Sequence, residues 1–338
     1  MKFNSWYNKN YKRLLIIPAI VLLLSLIFLY AFYNQTGDII NKDVSLKGGT
    51  TITISTDTSK TELENYLAGE FTDFYVKTIS DNSGNQIQLS ITVGEEKEDH
   101  LKSALEEFLG YELTNENSSV EVTSASLSED FYKQLITAIL LAFFWMAAVV
   151  FLIFAKGTKI KTRVVILNIL FGFFMGNFFL SVNKWISGII FLAFAVFLIR
   201  IYIRNSVPSF AVMLSAFADI VMTLAVVNLI GMKLSTAGIV AFLMLIGYSV
   251  DTDILLTTRL LRKRHDKIDK ALFESFKTGM TMTLTSIIAI STALIVVYPF
   301  QSVLNQIFTI LLIGLGFDLF NTWITNASIL KWYTEEIK

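Results

Sequence analysis

Apolar residues follow two patterns along this chain. Between residues 34 and 131 they recur at short periods among polar and acidic positions. Elsewhere they run for about twenty residues at a stretch, long enough at ~1.5 Å per residue to cross a hydrocarbon layer of ~30 Å. Such runs fall at residues 14–33, 133–154, 164–182, 185–203, 208–230, 234–258, 279–298 and 303–330. The pattern predicts a multi-span α-helical membrane protein with eight spans and one water-exposed domain.

The domain at 34–131 carries its own signature. Residues 50–55 (TTITIS) are β-branched and predict a strand. Leu63, Leu67 and Phe71 recur at i, i+4, i+8 and predict a helix over 59–71, capped by Thr58 or Ser59. Residues 72–80 predict a strand, and the DNSGN sequence at 81–85 a turn. In 86–93, Ile87, Leu89, Ile91 and Val93 alternate as the hairpin partner. Leu101, Leu105 and Leu109 mark a second helix over 95–109, and residues 119–127 a closing strand. The order β-α-β-β-α-β is that of a ferredoxin-like α+β domain.

Composition agrees with the membrane reading: 54% hydrophobic, 13% aromatic, mean hydropathy +0.58. Charge adds an orientation. The formal net charge of zero divides into −13 over residues 34–131 and +13 over the remainder. Basic residues collect in 1–13, in the 156–163 loop, at Arg200 and Arg204, and in the linker at 259–276. The positive-inside rule places these with 331–338 on the cytoplasmic side, both termini included, and the 34–131 domain outside. The surroundings of the spans are then the lipid of the cell membrane. The first run is too long for a cleaved signal peptide and lacks an A-x-A site, so it is expected to stay as an anchor.

Several chemistries are excluded. The chain has no cysteine, hence no disulfide, thiolate zinc site or thiol nucleophile. Two histidines, His100 and His265, make no zinc hydrolase. No cofactor signature, metal-ligand set or catalytic constellation is present, so no enzyme is expected. The acidic domain argues against nucleic-acid binding.

The candidate chemistry lies in the spans. Asp219, Asp251, Asp253 and Asp318 interrupt apolar runs. An acid at such depth costs roughly 2.5–3.5 kcal/mol on insertion scales and marks a functional site by default. The four are candidates for proton or ion coupling, packing by ion pairs being the alternative. Asp251 and Asp253 point to nearly opposite sides of one helix, so they form no dyad. Lys277, opening the next span, is a cation candidate, with Thr281 and Thr285 above it at helical spacing. Gly172 and Gly176 form a G-x-x-x-G pattern, which permits close helix approach or reflects a glycine-tolerant span.

Four blocks carry a resemblance. They are SVPSFAVMLSAFADIVMTLAVVNL (206–229), the IGYSVDTD sequence within LIGYSVDTDILLTTRLLRKRHD (245–266), ALFESFKTGMTMTLTS (271–286) and GLGFDLFNTWITNASILKWY (314–333). With the glycine pair of KDVSLKGGTTITI (42–54), they resemble the SecD/SecF family of protein-export membrane proteins, in its archaeal SecF form. The resemblance implies a six-span subunit of the RND transporter superfamily that pairs with SecD as a heteromer and attaches to the SecYE channel. It also implies that the subunit draws on the proton gradient to help a translocating polypeptide across. In bacterial relatives an Asp of the IGYSV-type motif and an Arg opening the next span are linked to proton movement. This chain departs in three ways. Asp251 and Asp253 flank Thr252, Lys277 stands where the Arg would be, and residues 155–205 form an extra two-helix hairpin. Two other readings stay open: half of an RND-like small-molecule or lipid transporter, and a structural membrane scaffold.

Overall fold

The computed structural model describes residues 2–71, 74–81, 85–94, 98–178, 184–262, 268–298 and 303–336. The centre of the 81–85 turn, the turn at 183, and Lys263, Arg264 and His265 of the predicted linker lie outside them.

The small domain is a two-layer α+β unit. β1 (Gly49–Ile54), β2 (Phe74–Ser80), β3 (Gln86–Gly94) and β4 (Ser118–Thr123) form an antiparallel sheet in the order β2-β3-β1-β4. α4 (Lys60–Glu70) and α5 (Glu98–Leu109) cover one face. Because strand side chains alternate, Ile52, Ile54, Leu89, Ile91 and Val93 all point one way, where they meet Leu63, Leu67, Leu101 and Leu105. The glycine pair enters β1 at φ 83° for Gly48 and 151° for Gly49, both in the region that side chains rarely adopt.

The remainder is helical. After α1 (Lys2–Leu14) come α2 (Ile16–Thr36) and the short α3 (Val44–Lys47). Beyond the domain follow α6 (Ala125–Phe154), α7 (Thr158–Phe178), α8 (Lys184–Asn205), α9 (Val207–Leu229), α10 (Thr236–Arg262), α11 (Ile268–Val297) and α12 (Val303–Phe320). A π-helical turn, Asn321–Asn326, joins α12 to α13 (Ala327–Glu336). Among the described residues seven helical stretches are long and apolar enough to cross a membrane; α7 is a further helix of 21 residues. α9 and α10 form the centre, packed on each other and on α6 and α12, whereas α11 leaves most of its surface uncovered.

Several boundaries differ from those expected. Residues 125–127 open α6 instead of extending β4, since Ser124 stands at the N-cap position and the helix runs unbroken into the span. The basic 156–163 loop is mostly the first turn of α7, and Lys161 Nζ donates to the end carbonyl of Leu152 on α6 at 2.6 Å. The 259–276 linker is largely helix, as α10 reaches Arg262 and α11 begins at Ile268. The last span is broken by the π turn. A Cβ on Gly172 would stand 3.4 Å from Leu141 and 3.8 Å from Trp145 of α6.

A strap joins the domain to the centre. Leu234 N donates to Asn41 O at 2.6 Å and Asp43 N to Leu234 O at 2.8 Å, so the chain leaving α2 pairs with the α9–α10 turn. Asn228 near the end of α9 donates to Ile39 O at 2.8 Å. Tyr132 of α6 donates to Asp38, which also pairs with Lys42.

Candidate functional site

Three of the four intramembrane acids converge. Asp219 is delivered by α9, which Ser206 caps by accepting from Ser209 N. Small residues along α9 (Ala211, Ser215, Ala216, Ala218) let neighbouring helices approach, and Asp219 is fully enclosed. Asp253 comes from α10, also fully enclosed, and Asp318 from α12, 1% exposed. Helix α11 closes one side: a Cβ on Gly279 would stand 2.4 Å from the Trp323 ring and 3.3 Å from Thr252.

All three carboxylates face side chains of the π turn. Asp219 Oδ2 accepts from Ser249 Oγ of α10 at 2.6 Å, and its Oδ1 from Asn321 Nδ2 at 2.7 Å. Asp253 Oδ1 accepts from Thr322 Oγ1 and Asn326 Nδ2, each at 2.8 Å. Asp318 Oδ1 lies 3.1 Å from the same Thr322 hydroxyl. The π turn therefore offers side chains to both α9 and α10, and π turns recur at functional sites. On α12 and the π turn, Asp318, Thr322 and Asn326 are spaced by four, and Thr325 bonds Asn321 by the same spacing.

The proton count at Thr322 is informative. A threonine hydroxyl has one hydrogen and two lone pairs. It can donate to Asp253 or to Asp318, but not to both at once. Both contacts are hydrogen bonds only if one carboxyl carries a proton and donates it to Thr322 Oγ1. The arrangement thus accommodates a proton on either carboxyl, with a one-hydroxyl bridge between them. Oδ2 of Asp253, Oδ2 of Asp318 and Oγ of Ser215 are enclosed with no hydrogen-bond partner among the described residues, so acceptor capacity remains. Among the described residues no Lys, Arg or His forms an ion pair with any of the three. A buried unpaired carboxylate is costly, and protonation is the ordinary relief.

Asp251 and Lys277 stand apart from this centre. Asp251 lies on the exposed side of α10, and Lys277 is exposed on α11. Neither makes an ion pair among the described residues. The hydroxyls of Thr281 and Thr285 donate to backbone carbonyls one turn back, Lys277 O and Met282 O. Arg259 reaches Thr278 Oγ1 at 2.9 Å. Reading the sequence singles out the acids but not Ser249, Thr322 or the π turn. The signal available was the four-residue spacing of Asp318, Thr322 and Asn326 in an otherwise apolar span.

A second polar cluster closes the basic end. Lys331, 3% exposed, pairs with Asp269 of α11 at 2.8 Å and lies over the Tyr11 ring at 5.2 Å. Tyr11 bonds Glu335. Tyr7 of α1 shares a hydrogen bond with Ser328 at 3.1 Å, and burial pushes its phenol up to about 12. Helix α1 is thereby fastened to α13.

Residues 176–336 match the family model described as protein export membrane protein SecD/SecF, C-terminal. Along nearly its whole length the chain is 35% identical to the protein-export membrane protein SecF of Methanocaldococcus jannaschii, over 336 residues and 98% of both chains. It belongs to the SecF family. Another SecF relative, from Pyrococcus furiosus, is 31% identical over 324 residues, covering 95% of this chain and 90% of its own. The fold also resembles the crystal structure of SecDF, a translocon-associated membrane protein from Thermus thermophilus, with a TM-score of 0.56 at 13% identity. That match covers 98% of this SecF chain and 38% of SecDF, so the chain spans well under half of that protein's length. The three converging acids all lie within the stretch that matches the SecD/SecF family model.

Proposed function

We propose that the chain acts as the SecF subunit of protein export, partnered by SecD, and that protons passing through Asp253, Thr322 and Asp318 drive it. The single observation carrying this reading is the Thr322 hydroxyl held between two enclosed carboxyls at 2.8 and 3.1 Å. Asp219 adds a third carboxyl on the neighbouring helix. Taking up a proton removes a charge that burial disfavours, and releasing it restores that charge. Either event rearranges the donors shared by α9, α10 and the π turn.

The strap supplies an outlet for such a rearrangement. Asn228 lies nine residues, about 14 Å, from Asp219 along α9, and it holds the chain that enters the small domain. A shift of α9 against α10 moves that domain, which in the proposed orientation faces the outside and meets the translocating polypeptide. The exposed Asp251 and Lys277 support a SecD partner. Charges at bilayer depth are costly against lipid and are expected to face a neighbouring chain's helices. Attachment to the SecYE channel and cytoplasmic termini complete the reading.

The test is gradient-stimulated export in vesicles holding this chain, SecD and SecYE. Asp253→Asn is expected to lower the gradient-dependent component at least tenfold, with SecD still co-purifying. Equal stimulation in the variant and the parent would overturn proton coupling at this centre and leave the acids as packing groups.

A further inference from the structure

Proton coupling leaves α1 without a part, yet α1 reaches the π turn itself. Tyr7 and Tyr11, four residues apart, both meet α13 from one side of α1, at Ser328 and Glu335. Lys331 of α13 pairs with Asp269 of α11 and lies over both rings, at 6.0 Å from Tyr7 and 5.2 Å from Tyr11. Three helices thus fix where the Tyr7 hydroxyl stands. It shares a hydrogen bond with Ser328 Oγ at 3.1 Å and lies 3.5 Å from Trp323 O, the outer reach of such a bond.

Trp323 O is the carbonyl that the π turn sets aside. In an α-helix it would accept from Ala327 N, four residues on. Here Ala327 N donates to Thr322 O, five residues back. The exchange leaves Trp323 O open to a donor from outside the helix. Tyr7 is placed as that donor. A phenol has one hydrogen, and one assignment satisfies both contacts: the enclosed Ser328 donates to Tyr7, and Tyr7 donates to Trp323 O. Burial pushes the phenol up to about 12, so this hydrogen is kept near neutral pH.

We propose, on the reading that protons are coupled at the acid centre, that Tyr7 is a positioning residue for that centre: its hydroxyl occupies Trp323 O and keeps the segment from winding back into α-helix. Thr322 and Asn326, on either side of this carbonyl, both donate to Asp253 Oδ1. An α-helix has fewer residues per turn than a π turn, so α winding rotates Asn326 relative to Thr322. The two then no longer meet Asp253 together. On its far side Trp323 packs edge-on against Phe276 of α11 at 5.0 Å, so the turn is held between α1 and α11. Tyr7 acts through the winding of the turn, and α1 is the clasp that brings its hydroxyl there.

Two measurements on the full chain test this. In Tyr7→Phe, which keeps the ring, hydrogen exchange of the 321–330 amides read by mass spectrometry is expected to speed about fivefold or more, with exchange in α9 unchanged. Gradient-dependent export in vesicles holding the chain, SecD and SecYE is expected to fall about threefold or more. Tyr11→Phe removes a hydroxyl from the same face of α1 away from the turn, and both readouts are expected to stay near the parent's. Unaltered exchange in Tyr7→Phe overturns the proposal. Equal losses in Tyr7→Phe and Tyr11→Phe overturn it too, since α1 would then be a fastener only. Parent-level stimulation in Tyr7→Phe where Asp253→Asn has lost it overturns the positioning role and leaves proton coupling standing. Stimulation kept in both of those variants overturns proton coupling and the positioning role with it.

Discussion

Thr322 and Asp253 meet across the centre of the bundle, from the π turn and α10, with Thr322 Oγ1 2.8 Å from Asp253 Oδ1. The same hydroxyl lies 3.1 Å from Asp318, so one hydrogen serves two carboxyls. Thr322→Val keeps the shape and removes the hydroxyl. It is expected to lower gradient-dependent export about tenfold or more, whereas Thr322→Ser retains most of it. Equal export by the Val and Ser variants would show that the hydroxyl carries no protons.

The two acids of the IGYSVDTD motif are expected to separate. Asp253 is enclosed by the π turn, and Asp251 is exposed on the far side of α10. Asp251→Leu should weaken co-purification of SecD while leaving the chain folded. Asp253→Asn should leave co-purification intact and stop coupling. If Asp251→Leu retained SecD at the parent level in gentle detergent, that face of α10 would not be the partner surface.

The strap is testable by proteolysis. Asn228→Ala removes the bond to Ile39 O and is expected to cost about 1 kcal/mol. Cleavage between residues 37 and 43 should then speed up several-fold, with the small domain's own fold unchanged. An unaltered cleavage rate would mean that the Leu234 backbone bonds hold the strap alone.

Gly279→Ala probes the fit of α11 against the π turn. Its Cβ would stand 2.4 Å from the Trp323 ring, so the helices must part. Overpacking of this kind typically costs about 1–3 kcal/mol, read as a lower thermal midpoint in detergent. A parallel fall in export would tie the position of the π turn to coupling; a midpoint equal to the parent's would show that Trp323 yields without strain.

Burial in hydrocarbon or against a sheet acts on stretches of contiguous residues, so its mark is legible in the local pattern. Runs of about twenty apolar residues announce spans wherever they fall. The alternation of Leu89, Ile91 and Val93 and the four-residue spacing of Leu63 and Leu67 likewise marked both layers of the small domain. Family membership was also legible, through motifs that survive as contiguous blocks. Element ends were less so. The start of α6 at Ala125 and of α7 at Thr158 depend on cap and packing contacts, such as Lys161 on Leu152, which no local pattern contains.

The convergence of the acids needed the tertiary structure. Four acids stood out in the sequence because each is costly in a membrane, but nothing local said which would meet. Asp251 and Asp253 are two residues and about 200° apart on one helix, so helix geometry separates them. Which of them turns inward is decided by partners far along the chain, Thr322 and Asn326 for Asp253. Asp219 likewise finds Asn321 about a hundred residues away. Helical periodicity assigns a residue to a face, and only the packing of α9, α10 and the π turn decides what that face meets.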